Sequence, residues 1–248
     1  MNPQRPSADA GQDRPDRFAD RHPTSDVLDT PVWAALHGSH RRFAEVIGKA
    51  ARFRTDVAPF YALAPDAGPE AWPDLAKLAG PGVEVSLTGD TPPPPPDWTV
   101  LRELGGVQLV DVALEAAPDP DAVVLTPADV PEMLDLVART QPGPFLPRTI
   151  ELGTYLGLRH EGALVAMAGE RLHPPGWTEI SAVCTDPALR GRGLATRLVR
   201  AVAAGIRARG EQAFLHASAA NTNAIRLYES IGFELRKRTT FKTFVTPS

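Results

Sequence analysis

Arg190-Gly191-Arg192-Gly193-Leu194-Ala195 is the stretch whose residue types and spacing point most directly to chemistry. It follows a strand-like run, Glu179 to Thr185, and a turn, Asp186-Pro187-Ala188-Leu189, and it opens onto a helical pattern from Leu194 to Arg209. Glycines between a strand and a helix let the backbone approach a ligand with no Cβ in the way. The first amides of such a helix lack intrahelical partners, and the positive end of the helix dipole lies behind them. Two arginines in the turn deepen what is then an anion site, suited to a pyrophosphate. The dinucleotide fingerprint is not met, because its third glycine position holds Thr196. The Walker loop, with its terminal Lys-Ser/Thr, is absent as well.

A second block lies downstream, Asn221-Thr222-Asn223-Ala224-Ile225-Arg226-Leu227-Tyr228-Glu229-Ser230-Ile231-Gly232-Phe233. It reads as a short helix with an Asn cap, one apolar face (Ala224, Leu227, Tyr228, Ile231) and a glycine stop. Together the two blocks resemble the GCN5-related N-acetyltransferases (GNAT), in the FR47-like and glycine N-acyltransferase-like branch. Arg190, Gly193 and Ala195 fill the Gln/Arg-x-x-Gly-x-Gly/Ala motif of that superfamily, and residues 221–233 its N-x-x-A-x-x-L-Y-x-x-x-G-F block. The resemblance covers residues 123–246, about half of the chain.

That resemblance implies an acetyl-CoA-dependent N-acetyltransferase that moves the acetyl group directly to a primary amine in a ternary complex, with no metal. Arg190, Gly191, Arg192, Gly193, Leu194, Ala195 and Thr196 would hold the CoA pyrophosphate. The backbone edge of Val183, Cys184 and Thr185 would pair with the pantetheine arm, and Asn221 would meet the arm from the other side while capping its helix. Tyr228 stands where the family carries its general acid toward the sulfur. Glu179 stands at the strand position where histone-type members carry a glutamate base, and burial there would raise its pKa toward a useful value. His216 and His173 are the other candidates for the base. Cys184 reads as a small buried residue rather than a nucleophile, since direct transfer needs none. A non-catalytic acyl-CoA-binding or sensor module on the same fold is the alternative; the presence of Tyr228 and Glu179 favours an enzyme. The acceptor stays open among small-molecule amines, amino acids, peptide N-termini and protein lysines, with a pocket expected from loops near Phe145, His160 and Trp177.

The elements that must position these residues follow from periodicity. Val123-Val124-Leu125 reads as a strand, and Thr126 caps a helix with Pro127 at its first position that runs to about Thr140. Gly153–Arg159 and Ala163–Leu172 form a hairpin through residues 160–162. Glu179–Thr185 precedes the anion loop, Ala213–Ala217 follows its helix, and Phe233 to Phe244 give the closing strands. The order β-α-β-β-β-α-β-α-β matches the α/β GNAT acyltransferase fold, a mixed β-sheet flanked by helices, assigned to a domain over residues 117–248. Residues 1–29, proline-rich and of mixed charge, read as a disordered tail. Residues 30–116 read as an N-terminal α/β domain, either a degenerate GNAT copy or a lid or dimerisation module. Within it, Ser39–Phe53 has helical spacing (Phe43, Val46, Ile47, Ala50), Trp72–Leu78 a second helix, Val83–Leu87 and Gly106–Leu114 strands, and Pro92–Pro96 a rigid extended loop.

Composition bounds the classes. With 26 basic against 30 acidic residues, the chain has no electrostatic footprint for general nucleic-acid binding. A single cysteine, Cys184, excludes an intrachain disulfide and a cysteine-rich metal site. No apolar run is long enough to span a membrane, and the N-terminus lacks the apolar core of a signal peptide, so a cytoplasmic protein is expected. A homodimer is compatible with these features.

Overall fold

The computed structural model describes residues 25–248, so residues 1–24 of the expected tail lie outside the described residues. A short 3-10 turn, Ser25–Leu28, begins the described chain and already buries Leu28. The N-terminal segment then gives α1 (Pro31–His37), β1 (Ala44–Ile47), β2 (Ala50–Phe53), β3 (Tyr61–Leu63), α2 (Ala71–Ala79), β4 (Glu84–Thr88) and the long β5 (Thr99–Asp111). The remainder gives β6 (Val123–Val124), α3 (Val130–Thr140), β7 (Tyr155–His160), β8 (Ala163–Glu170), β9 (Trp177–Thr185), α4 (Leu194–Ala208), β10 (Gln212–Ser218), α5 (Thr222–Ser230) and β11 (Phe233–Val245). From β6 onward this is the expected order of elements. The fold is mixed α/β, with its large sheet flanked by helices.

One N-terminal expectation fails. Ser39–Phe53 is not a helix but a 3-10 turn followed by the β1–β2 hairpin. Gly48 sits in the hairpin turn at φ +52°, and a Cβ there would fall 2.0 Å from Asp74 Oδ2. Asp74, on α2, accepts from the amide of Lys49 at 2.8 Å and pins the turn. A left-handed glycine tied down by a distant carboxylate overrides a helical spacing that would have buried Val46, which is instead 48% exposed.

An eight-stranded sheet runs in the order β4-β11-β5-β10-β9-β8-β7-β6, and β1-β2-β3 form a small second sheet. The pairs of the large sheet are antiparallel except β9 with β10, which is parallel. The expected boundary at residue 116/117 does not divide this sheet, because β5 lies between β10 and β11 and β4 pairs with the outer edge of β11. The closing strands expected over Phe233–Phe244 are one strand, β11, with register shifts at Leu235/Lys237 and Thr243/Phe244.

Packing confirms the continuity. The apolar face of α4 (Leu198, Val199, Val202, Ala203, Ile206) covers Leu109 of β5, Ile180 of β9 and Leu215 of β10. The opposite face of the sheet, at Val110, Trp177 and Phe214, is covered by Leu36 of α1 and Phe53 of β2. A third cluster joins α2 and its neighbours in the N-terminal segment to β11. Trp72 of α2 meets Trp98 at 4.7 Å and Phe244 of β11 at 5.1 Å between ring centroids.

Candidate active site

β9 and β10 pair only from Gln212↔Trp177 to Phe214↔Glu179, and then diverge. The divergence has a local cause on β9. Ala182 sits at φ +52°, and the β8–β9 register shifts between Met167/Cys184 and Gly169/Ser181, so β9 bulges away from its parallel neighbour. The gap opens into a cavity of about 790 Å³ lined by residues 180–185 of β9, His216 to Ser218 of β10, the loop before α4, and α5.

One end of the cavity is the anion loop. Gly191 (φ +78°) and Gly193 (φ +74°) are both left-handed, and Gly193 is the N-cap of α4. No side chain caps that helix, so its first-turn amides from Leu194 to Thr196 are left for a ligand. An added Cβ at either glycine would meet nothing within 4 Å, so these positions demand glycine for backbone angle rather than for room. Thr185 Oγ1, at the end of β9, is buried with no hydrogen-bond partner among the described residues. An uncapped helix start, an unpaired strand edge and an orphaned hydroxyl together fit an extended, pyrophosphate-bearing molecule such as acetyl-CoA.

Val183, Cys184, Thr185, Arg190, Gly191, Gly193, Leu194, Ala195, Thr196, Asn221 and Tyr228 all line the cavity. Arg192 does not; it is exposed outside the lining. Asn221 caps α5, its Oδ1 accepting from the amide of Ala224 at 3.1 Å. Tyr228 is 8% exposed and its phenol makes no hydrogen bond to another described residue. Burial, and after it the neighbouring Cys184, pushes that phenol up to about 12. Burial likewise raises the Cys184 thiol, which suits a packed side chain and not a thiolate nucleophile.

Glu179 departs from expectation. It is fully buried and does not line the cavity. Burial alone would raise its carboxyl, but Arg171 outweighs it, helped by His216, and the group is held at about 2. Arg171 Nε and Nη2 each donate to it at 2.7 Å, and His216 Nδ1 donates to Oε1 at 2.7 Å. An ionised carboxylate only accepts, so the His216 proton belongs on Nδ1, and Nε2 accepts from the Gln108 amide at 3.1 Å. Glu179 therefore lies one layer behind the cavity, bonded to Arg171 and His216, which do line it. His173 stands elsewhere. Its ring packs against His40 at 5.0 Å, outside the lining, and burial lowers both.

The far wall of the cavity was not foreseen. Phe145 and Trp177 are core residues and His160 is exposed on the β7–β8 hairpin; none of them lines the cavity. Pro142 to Pro144 do, and the rest of that wall comes from the N-terminal segment and β11: Phe60, Ser86, Arg102, Leu104 and Phe241 among them. Arg171 lies over the Phe60 ring at 4.9 Å, tying this wall to the Glu179 group. No motif marks these positions: Ser86, Arg102 and Leu104 meet β11 through pairing across more than 130 residues, and Phe60 joins them through its bridge to Ser86. Among the described residues, no cluster of His, Cys, Asp or Glu could hold a metal ion, and no helix is long and apolar enough to cross a membrane.

Residues 155–242 match the family described as FR47-like protein. A solved GNAT-family structure from Novosphingobium aromaticivorans is similar at 42% identity and a TM-score of 0.81, the match covering 89% of this chain and 99% of that one. N-alpha-acetyltransferase RimI of Mycobacterium tuberculosis is 40% identical over 90 residues, 34% of this chain and 56% of that protein. Mycothiol acetyltransferase of Thermobispora bispora is 48% identical over 56 residues, 22% of this chain and 19% of that protein. The chain thus spans about half the length, or less, of these two curated relatives.

Proposed function

The chain belongs to the GCN5-related N-acetyltransferase superfamily, with an FR47-like region, and from that premise we propose that it transfers the acetyl group of acetyl-CoA to a primary amine by direct attack in a ternary complex. The observation that carries this reading is the gap between β9 and β10 at the Ala182 bulge, with the uncapped start of α4 at one end and Tyr228 inside it. Acetyl-CoA supplies an activated thioester; the protein's part is to hold it, receive a proton from the amine and return one to the departing sulfur.

The left-handed turn at Gly191 and Gly193 aims the first amides of α4 at the pyrophosphate, with the dipole of a 15-residue helix behind them. The free edge of β9 from Val183 to Thr185 takes the pantetheine amides. Tyr228 stays protonated at working pH, its phenol being raised to about 12, and so can donate to the thiolate as it leaves. The amine's proton goes to His216 Nε2, a step that displaces the Gln108 hydrogen bond. The ionised Glu179, held by Arg171, stabilises the imidazolium that results. In this reading Glu179 is a positioning residue and not the base.

A thiol-release assay with acetyl-CoA across amines, amino acids and peptides tests the proposal. Turnover dependent on an acceptor is expected. Binding of acetyl-CoA with no thiol release for any acceptor would instead favour the non-catalytic acyl-CoA module.

A further inference from the structure

We infer that the acceptor is an extended, peptide-like amine with an acidic group, bound along β5 with that group on Arg102; this rests on the acetyl-transfer reading above. No aspartate or glutamate lines the cavity. Of its cations, Arg171 is committed to Glu179, Arg190 belongs to the anion loop, and Lys242 pairs with Glu103 at 4.0 Å. Arg102 makes no hydrogen bond or ion pair among the described residues and is exposed. It is a cation on an acid-free wall with no partner of its own.

The register shows what surrounds it. Thr243 of β11 pairs with Ser86 on one side and Arg102 on the other, and residues directly opposite share a face. Ser86 Oγ and Thr243 Oγ1 lie 3.5 Å apart, so two hydroxyls continue the row from Arg102 on its β11 side, and all three residues line the cavity. Such a set matches a carboxylate. The next rung inward, Thr88–Phe241–Leu104, is largely apolar. Beyond it Gly106 leaves room for the Phe241 ring, whose atoms would lie 2.4 Å from a Cβ there, and that ring reaches within 6.1 Å of His216. The row runs from proton acceptor to apolar surface to cation.

Its length selects the occupant. His216 stands opposite Gln108, and the strand from Gln108 to Arg102 covers roughly 20 Å. One amino acid spans about 3.5 Å and cannot reach both ends, whereas an extended chain of about four to six residues can. β10 ends opposite Gly106, with Ala219 N on Gly105 O, so residues 99–104 of β5 pair with no described strand on that edge. Val100, Leu101 and Leu104 there are 47–52% exposed. An unpaired, apolar strand edge beside the cavity offers main-chain partners to an extended peptide.

Hexapeptides with a free N-terminus and one glutamate walked from position 2 to 6, a neutral hexapeptide, and free glutamate form the test. Their kcat/KM is measured by thiol release, and their binding to CoA-loaded protein by anisotropy of labelled peptides. Peptides with the acid in the fourth to sixth position should exceed the neutral one by roughly tenfold. That preference should vanish in Arg102→Gln and return in part in Arg102→Lys, with acetyl-CoA affinity constant. A ranking unchanged in Arg102→Gln, or free glutamate used as well as peptides, overturns the inference. So does a dimer joined through β5, seen by sedimentation, that Leu101→Lys splits while peptide preference ignores Arg102. If no acceptor releases thiol but Arg102-dependent peptide binding persists, the acetyl-transfer reading falls and the peptide site stands.

Discussion

A carboxylate clamped by a guanidinium on both oxygens is a poor proton acceptor, and Glu179 is buried in that state. Its own titration at about 2 lies below any assay range, so no limb of a pH–rate profile between pH 5 and 9 belongs to it. Its catalytic effect should pass through His216. Glu179→Gln and His216→Gln are each expected to lower kcat by roughly 10²-fold or more, and the double variant little further, because the two act as a unit. Additive losses in that kinetic cycle would separate them. A stability signature follows with a definite sign. The folded-state pKa lies below the ordinary 4.5, so the stabilisation is present above about pH 4.5 and is lost as pH falls toward 2. Acid unfolding followed by circular dichroism should be shallower across that window in Glu179→Gln, whose overall stability is lower because Arg171 loses its counter-charge. Tyr228→Phe isolates the acid. The phenol matters most as the sulfur departs, so turnover should drop roughly 10²-fold while acetyl-CoA affinity holds. Normal turnover in that variant would mean that water or the acceptor protonates the thiolate.

At the scale of elements, the site is made by two irregularities, the bulge at Ala182 that parts β9 from β10 and the left-handed turn that starts α4. A β-branched residue at Gly193 must either strain at φ +74° or flatten the turn. Gly193→Val is expected to cost about 1–2 kcal/mol of stability, and to remove most of the rise in melting temperature that acetyl-CoA gives the parent. Calorimetric scans with and without acetyl-CoA measure both. A full ligand-induced rise in the variant would detach the turn from cofactor binding.

For the molecule as a whole, the N-terminal segment is structurally continuous with the site. It supplies β5, the strand between β10 and β11, and the wall that carries Phe60, Ser86 and Arg102. A chain starting near Asp121 would leave β10 and β11 without the strand they share, exposing Val107, Leu109 and Val110's partners to water. It is expected to aggregate rather than fold, which size-exclusion chromatography would reveal. A milder probe is Trp72→Ala, outside the cavity lining. Trp72 is fully buried against Trp98 and Phe244, so the loss should be about 3–5 kcal/mol in a denaturant titration. A soluble, active fragment would make the segment an appendage.

What the sequence determined by itself was local. The glycine turn before α4, the Asn221 cap and the run of elements from β6 to β11 are each written in contiguous residues, because positive φ, capping and apolar periodicity act within a few positions. The tertiary structure alone decided what lies across from them. β5 enters beside β10 through pairing between residues about a hundred apart, and Arg171 reaches Glu179 only once β8 and β9 are laid side by side. The pKa of Glu179 turned on that contact, since burial and a guanidinium push a carboxyl in opposite directions and only geometry says which prevails.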